Sequence, residues 1–250
     1  MANPSTRRFK SNLAKPRTSK KESIWAVIVA GGASRRMGFD KLTADLGGKP
    51  VLAWSIETFG ECRAIDAIVL VCAANTRQHF EEIARAAAPQ KLRAVVEGGA
   101  HRHLSVAEGL DHVPPDAAMI AVHDAARPLV SLGVIERCLE SARNTGAAAC
   151  AQPVTDTLKR INDEGLVVET VDRAHLWSVQ TPQVFRAELL RHAYAEVVAA
   201  GTVVTDETSA VQAAGAPVAL VESHEWNGKI TFPDDLELAR AIVRGRRPPR

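Results

Sequence analysis

No apolar run in these 250 residues approaches the roughly 20 needed to span a bilayer, so a membrane-embedded chain is not expected. The N-terminus carries basic residues with no apolar core behind them, which argues against a secretory signal. Cys62, Cys72, Cys138 and Cys150 include no CxxC spacing, so neither a zinc site nor a redox pair is indicated. They read as reduced thiols in or near a core. Neither GxxxxGKS/T nor GxGxxG occurs, so the chain has no Walker A loop and no dinucleotide fingerprint. A dinucleotide oxidoreductase would also need an acidic residue at the end of the second strand, which is missing. No internal repeat is evident.

What is present is an ordinary globular composition, 46% hydrophobic and rich in alanine, of a length that one α/β domain can use throughout. The cytoplasm is the expected compartment. The net charge of +2 conceals an asymmetry. Residues 1–21 carry seven Lys or Arg and no acid, and residues 244–250 carry four Arg and no acid. Without them the body has 20 basic against 29 acidic residues, a net of −9. An acidic body argues against nucleic acid as its partner. The expected organisation is a basic tail over 1–22, one domain over 23–243 and a second basic tail over 244–250, both tails being solvated ends. The first tail has the acid-poor, Ser/Arg-rich look of a transit peptide, but it is short and lacks an amphipathic period.

The run Ile24 to Ala30 is short, β-branched and closed by glycines, which predicts a buried parallel strand. Ala67 to Ala73, Leu92 to Val96 and Met119 to His123 have the same character. Helical patterns fall between them: Val51–Phe59 with Pro50 at its first position, Thr76–Ala88 capped by Asn75, Arg102–Val113 and Val134–Arg143. Alternation of this kind implies right-handed crossovers and a Rossmann-like α/β fold, its mostly parallel sheet flanked by helices. After an apolar segment at Ala147–Val154 the rhythm breaks. Residues 155–175 alternate around Asn162-Asp163-Glu164-Gly165, which predicts a β-hairpin arm projecting from the domain. Helices resume at Arg186–Ala200 and Asp206–Ala214, followed by strands at Val218–Glu222 and Lys229–Phe232 and a helix from Pro233.

Open α/β sheets bind ligands beyond the carboxyl ends of their strands. The first such loop reads Ala30-Gly31-Gly32-Ala33-Ser34-Arg35-Arg36-Met37-Gly38, with Lys41 close behind. Adjacent glycines let backbone N–H groups approach a phosphate, and three cations follow within seven residues. A tight turn with solvated charges is the plain alternative, but glycines plus Arg-Arg plus Lys favour phosphate binding. The fourth strand ends in His123-Asp124-Ala125-Ala126-Arg127-Pro128. A carboxylate at that place, across from a cationic loop, suits Asp124 to hold Mg²⁺ on a polyphosphate. Arg127 could pair with phosphate or neutralise Asp124. His123 reads as a packed, hydrogen-bonded histidine, because a phosphate nucleophile needs no imidazole base.

These segments, with HDAARP, TVDR, LW..QTPQ.F, TDETSA and GKIT.P.DL, resemble the 2-C-methyl-D-erythritol 4-phosphate cytidylyltransferase family of the non-mevalonate isoprenoid pathway. The similarity covers residues 24 to about 240. It implies that Arg36 and Lys41 stabilise the pentacoordinate α-phosphorus, with Lys229 near the reacting phosphates. It implies that Ala30, Gly31, Gly32, Gly99, Arg102, Ser105 and Asp124 bind the nucleotide, with Mg²⁺ at Asp124. Arg127, Thr157, Arg173 and Thr181 resemble the residues that hold methylerythritol phosphate. Thr157 and Arg173 lie on the arm and in the family enter the neighbouring subunit's site, which implies a homodimer. An isolated two-stranded hairpin is marginal in water and needs a partner surface, so the arm's composition points the same way.

The implied reaction is an in-line displacement on CTP. It calls for positioning and charge stabilisation rather than a general base. A different acceptor, ribitol phosphate or a molybdopterin, is the nearest alternative; HDAARP with TVDR and the arm favours methylerythritol phosphate. A nucleotide-binding module without turnover is the alternative from another class. Keeping both Lys41 and Asp124 argues against it.

Overall fold

The computed structural model describes residues 22–32 and 37–246. The expectations for the first tail up to residue 21, for residues 247–250 and for Arg35 and Arg36 of the loop lie outside the described residues. One seven-stranded sheet runs in the order β3-β2-β1-β4-β8-β5-β9. Its strands are β1 (Ile24–Ala30), β2 (Ala67–Cys72), β3 (Leu92–Glu97), β4 (Met119–Asp124), β5 (Ala147–Pro153), β8 (Trp177–Arg186) and β9 (Ala219–Glu222). Neighbours from β3 to β4 are parallel, as is β5 with β9, while β8 is antiparallel to both β4 and β5.

The sheet is covered on both faces, and the sequence shows why. Ala26 and Ile28 of β1, Ile68 and Leu70 of β2, and Met119 and Ala121 of β4 point to one face. There they meet α1 (Val51–Glu61), α2 (Arg77–Ala87), α4 (Leu132–Thr145) and α7 (Pro233–Arg246). The residues between them, Val27, Val69, Val71, Ile120 and Val122, point to the other. They pack on α3 (Arg102–Asp111), α5 (Ala187–Ala199) and α6 (Glu207–Ala213). With both pleats buried, a strand has to read as a continuous apolar run. Each fully buried Ile, Leu or Phe contributes about 1.5–3 kcal/mol of transfer free energy.

Several expected boundaries shift for physical reasons. Pro50 is the N-cap of α1, one position before the expected one. Asn75 does not cap α2: a 3-10 turn over Ala74–Thr76 leads into it, and its N-cap Thr76 makes no side-chain cap bond. Lys229–Phe232 is a loop, not a strand. Its backbone meets the β4 end through a bond from Ile230 N to Ala126 O, and Asp235 accepts the amides of Thr231 and Phe232 to start α7. That helix runs to Arg246, so residues 244–246 belong to the folded body, where arginines suit the negative end of the helix dipole. Strand β8 was not expected, because Pro182 within it argues for an edge position. It lies inside the sheet nonetheless. Its pairing with β5 slips between Ala149 and Ala151, opposite the stretch that contains Pro182.

The expected arm is present. β6 (Leu158–Ile161) and β7 (Val167–Val171) form a separate two-stranded antiparallel sheet. In its turn Asn162 accepts the amide of Leu166 through its side chain, and Gly165 takes a left-handed φ of 79°.

The packing of α3 on the sheet gives a first test. A Cβ on Gly109 would lie 2.6 Å from Val27 Cγ1 and 2.8 Å from Val71 Cγ2, both in the sheet. Alanine there gains about 1 kcal/mol of helix propensity but overpacks two fixed valines, at a cost of about 1–3 kcal/mol. Gly109→Ala is therefore expected to lower the urea midpoint. Gly245→Ala, where nothing lies within 4 Å, is expected to leave it unchanged or raise it slightly. Equal midpoints for the two variants would contradict the packing argument.

Candidate active site

A cavity of about 510 Å³ opens at the carboxyl ends of β1 and β4. Ala30, Gly31 and Gly32 line it where the chain leaves β1, and Lys41 lines it too. The β3–α3 connection forms the second wall through Gly99, Ala100, His101, Arg102 and Ser105. Asp124 at the tip of β4 and Lys229 in the loop before α7 complete it. Ala30, Gly31, Gly32, Gly99, Arg102, Ser105 and Asp124, expected at the nucleotide, and Lys41 and Lys229, expected at the reacting phosphates, line one cavity.

The glycines act in two ways. A Cβ on Gly98 would sit 2.6 Å from Ser105 Oγ, and one on Gly99 2.5 Å from Leu104 Cβ, so the tight entry into α3 closes only without side chains. At Gly31 and Gly32 there is room, with nothing nearer than Ser105 Oγ at 3.6 Å. There the missing Cβ leaves bare backbone facing the cavity. α3 begins at the same wall without a side-chain cap, so its first amide N–H groups and positive dipole end border the cavity. Glycine backbone and an uncapped helix start make an anion-binding wall.

Charge is arranged around Asp124. Its Oδ1 accepts from Arg102 Nε at 3.1 Å and Nη2 at 3.0 Å, and its Oδ2 accepts from Lys229 Nζ at 2.7 Å. Burial by itself would raise the carboxyl's pKa. Arg102 and Lys229 outweigh it and hold the group well below the usual carboxylate range. Arg102 is gripped from behind as well. Glu207, fully buried at the start of α6, accepts from Nη1 at 2.6 Å and Nη2 at 3.1 Å, and Tyr194 OH donates to the same carboxylate at 2.9 Å. These bonds use four of the five guanidinium hydrogens and leave one on Nη1. Glu207 and Tyr194 were not singled out from sequence. The expected helix Asp206–Ala214 begins one residue later, at Glu207, with Asp206 as its N-cap accepting from Ser209 N.

His123 matches its expected role. It is fully buried against the Phe59 ring, and desolvation pushes its pKa down to about 3. Its tautomer follows from its neighbours. Nε2 faces the Arg127 carbonyl at 3.2 Å, which can only accept, so the proton is on Nε2. Nδ1 then accepts from the Thr181 hydroxyl at 3.0 Å, and Thr181 Oγ1 in turn accepts from the Asp124 amide at 3.0 Å. Thr181 is thus buried behind Asp124 and orients it rather than lining the cavity.

Arg127, Thr157 and Arg173 do not line this cavity either. Arg127 donates from Nη1 to the Asn227 carbonyl at 2.8 Å, and its buried Nε has no partner. Thr157 and Arg173 are exposed on the arm, where Arg173 donates to the Thr155 carbonyl. Arg36 lies outside the described residues. Among the described residues no group of three or more His, Cys, Asp or Glu could hold a metal, and Asp124 is the only acidic side chain of the cavity. That donor set suits Mg²⁺ held mainly by phosphate oxygens, which needs only one or two carboxylates. The four cysteines are buried and unpaired, and burial pushes the Cys72 thiol up to about 11.

Fold and site together define an α/β domain whose cavity sets a glycine wall beside Lys41, Arg102 and Lys229, a chemistry suited to a polyphosphate. Comparison with known proteins narrows this. The family profile described as "IspD: 2-C-methyl-D-erythritol 4-phosphate cytidylyltransferase" matches residues 24–245. The enzyme of that name from Desulforamulus reducens is 41% identical over 227 residues, covering 90% of this chain and 97% of that protein. Its counterpart from Dehalococcoides mccartyi is 42% identical over 224 residues, covering 89% and 97%. Among solved structures, that of the Thermus thermophilus enzyme superposes with a TM-score of 0.72 at 36% identity, covering 90% of this chain and all of that one. The 4-diphosphocytidyl-2C-methyl-D-erythritol synthase of Anaerococcus prevotii gives a TM-score of 0.79 at 28% identity, covering 89% and 96%. This chain belongs to the 2-C-methyl-D-erythritol 4-phosphate cytidylyltransferase family.

The neutral His123 makes a pH prediction. Its folded pKa lies near 3, while an unfolded histidine titrates near 6.5. Between those values the unfolded chain binds the extra proton, so this residue's contribution is present above about pH 6.5 and is lost as pH falls. His123→Gln is expected to flatten the fall in stability below pH 6.5 by up to about 1.4 kcal/mol per pH unit, read from urea midpoints at several pH values. Parallel curves for the two proteins would show that His123 is charged when folded.

Proposed function

We propose that this chain transfers the cytidylyl group of CTP to 2-C-methyl-D-erythritol 4-phosphate, giving 4-diphosphocytidyl-2-C-methyl-D-erythritol and pyrophosphate. The observation that carries this is Asp124 held between Arg102 and Lys229 beside the Gly31-Gly32 wall, in a chain of this family. An oxygen of the acceptor phosphate attacks the α-phosphorus, the bond from that phosphorus to the bridging oxygen breaks, and pyrophosphate leaves with the electron pair. The attacking phosphate is ionised near neutral pH, so no base has to take a proton. The neutral His123 behind Asp124 agrees with that.

Both reactants are anions, so the work is to bring them together and stabilise the charge that develops between them. The bare amides around Gly31 and Gly32 and the start of α3 receive the triphosphate. Lys41, with Arg36, acts at the α-phosphorus, and Lys229 bridges toward the attacking phosphate. Asp124 would hold Mg²⁺, which when bound supplies further neutralisation of the phosphates. Both of its oxygens already accept from cations, so a metal there replaces one positive partner with another. Ser105 and Gly99 line the part of the cavity proposed for the base and ribose. Thr181 acts here through Asp124, which it orients.

Arg127 and the arm residues Thr157 and Arg173 are assigned to the acceptor. The arm supports a homodimer in which each arm enters the other subunit's site. Ile161, Leu166, Val167 and Val168 are more than half exposed on it, an apolar surface that a lone hairpin would have no reason to carry. No helix among the described residues is long and apolar enough to cross a membrane, in keeping with a cytoplasmic enzyme.

Purified protein with Mg²⁺, methylerythritol phosphate and each of the four nucleoside triphosphates in turn is expected to release pyrophosphate with CTP. No release with CTP, or equal release when ribitol phosphate replaces the acceptor, would sink the assignment. The shared site makes a separate prediction. Lys41→Ala and Arg173→Ala subunits, each nearly inactive alone, should regain up to about a quarter of wild-type activity when mixed, because random pairing restores one intact site in half of the dimers. Absence of complementation would mean that each site is built from one chain.

A further inference from the structure

Asn227 has no place in the chemistry above, yet it is buried to 2% exposure two residues before Lys229. Its side-chain amide donates to the Thr181 carbonyl at 2.8 Å and to Gln180 Oε1 at 3.0 Å, with Cys150 Sγ at 3.4 Å. Gln180 cannot turn away, since its own amide nitrogen donates to Gln152 Oε1 at 3.2 Å. The main-chain carbonyl of Asn227 meanwhile accepts from Arg127 Nη1 at 2.8 Å. One residue therefore joins three segments of the site: the loop of Lys229, the strand of Thr181 and the Arg127 turn.

These contacts close a ring. The Asp124 amide donates to Thr181 Oγ1, the Thr181 carbonyl accepts from Asn227, two peptide steps lead to Lys229, and Lys229 Nζ returns to Asp124 Oδ2. The next link is equally tight. A Cβ on Gly228 would lie 2.2 Å from the Trp226 ring, so Trp226 folds directly over the glycine between Asn227 and Lys229. With the backbone held on both sides, the long lysine stem starts from a fixed point.

We propose that Asn227 is a positioning residue for the transfer reaction, setting where Lys229 and Arg127 stand without touching either substrate. The inference rests on the cytidylyl-transfer reading above. The triphosphate wall is built at the ends of β1, β3 and α3, and none of the hydrogen bonds of Asn227 described above reaches them. Its loss should therefore fall on turnover and on the acceptor, not on CTP. Displacing a charged group by about 1 Å costs up to about 100-fold in rate.

Asn227→Asp keeps the shape but turns the donor into an acceptor facing two other acceptors, and Asn227→Ala removes it. Both are expected to lower kcat about 10- to 100-fold, raise KM for methylerythritol phosphate and leave KM for CTP within about twofold. Double variants separate positioning from general damage. Asn227→Asp should be strongly non-additive with Lys229→Ala, whose lysine it would already have displaced, and additive with Lys41→Ala, which lies outside the ring. Unchanged kcat, or a CTP KM that rises with the acceptor's, or additivity in both pairs would overturn the proposal. If the Asn227 variants do not fold, Gln180→Ala removes one of the amide's two oxygen acceptors and carries the same test at smaller amplitude. A further readout needs no substrate: acetylation of Lys229 by an activated ester, followed by mass spectrometry, should rise severalfold in the variant while Lys159 on the arm stays constant. An unchanged Lys229 would refute the positioning role. Wild-type protein that turns over no CTP would instead refute the functional reading.

Discussion

Asp124 is the carboxylate on which the charge balance of the site depends. Arg102 and Lys229 would face each other across a cavity walled by glycine amides and a helix start, all positive in character. Asp124 stands between them, donating to neither and accepting from both. Burying an ion is costly, and its attraction to a partner offsets that only where hydrogen bonds are complete. They are nearly complete here, with three donors on the two oxygens and Thr181 fixing the backbone behind them. Removing this carboxylate would leave Lys229 with no carboxylate partner and Arg102 with Glu207 alone. This also explains how a chain whose body is acidic can keep a cationic site. The cations are concentrated there because acidic side chains, Asp124 in front and Glu207 behind, hold them in place.

The antiparallel strand β8 decides which groups reach that point. β8 pairs with β4 through Met119 opposite Arg186 and Val122 opposite Gln183, so it runs past the end of β4 and brings Thr181 beside Asp124. The same reversal places the arm. β5 leaves the sheet at the carboxyl end of the parallel strands, and β8 enters from that end, so the segment between them emerges on the side where the cavity opens. A parallel β8 would have sent the chain around the opposite edge. Neither the Thr181 brace nor an arm at the mouth of the site would then be available.

Much of this was legible residue by residue. Strands β1, β2 and β4 are buried on both faces, so their apolar runs are continuous, and the glycines after Ala30 mark where β1 ends. HDAARP could be placed at a strand end, and the Asn162–Gly165 turn announced the arm. What escaped has a common cause. β8 contains a proline that local rules send to an edge, and only its place between β4 and β5 shows that the pairing can slip around it. Glu207 follows a capping Asp206 and reads as surface charge, because nothing local reveals that Arg102 and Tyr194 close over it. Asn227, between Trp226 and Gly228, reads as a turn. Lys229–Phe232 has the alternation of a strand but no neighbour to pair with. For Glu207 and Asn227 the deciding partners lie 13 to 105 residues away, as Tyr194 and Arg102 do from Glu207.

The cations of the site also differ in how fully they are neutralised. Arg102 has two carboxylates and Lys229 has one. Arg127 has none within ion-pair distance among the described residues: its guanidinium donates to the Asn227 carbonyl, and its Nε is buried without a partner. Burial lowers its pKa, with Asp124 opposing from a distance. A guanidinium in that condition carries an unmet cost that an arriving anion would remove, since an unsatisfied buried donor is worth about 1–3 kcal/mol. The proposed acceptor brings a phosphate, and Arg127, held by Asn227 and absent from the lining of the cavity that suits the triphosphate, is the cation assigned to it. In the proposed reaction the two anions are met by separate cations. Such a separation lets a phosphate attack another phosphorus without either reactant competing for the other's site.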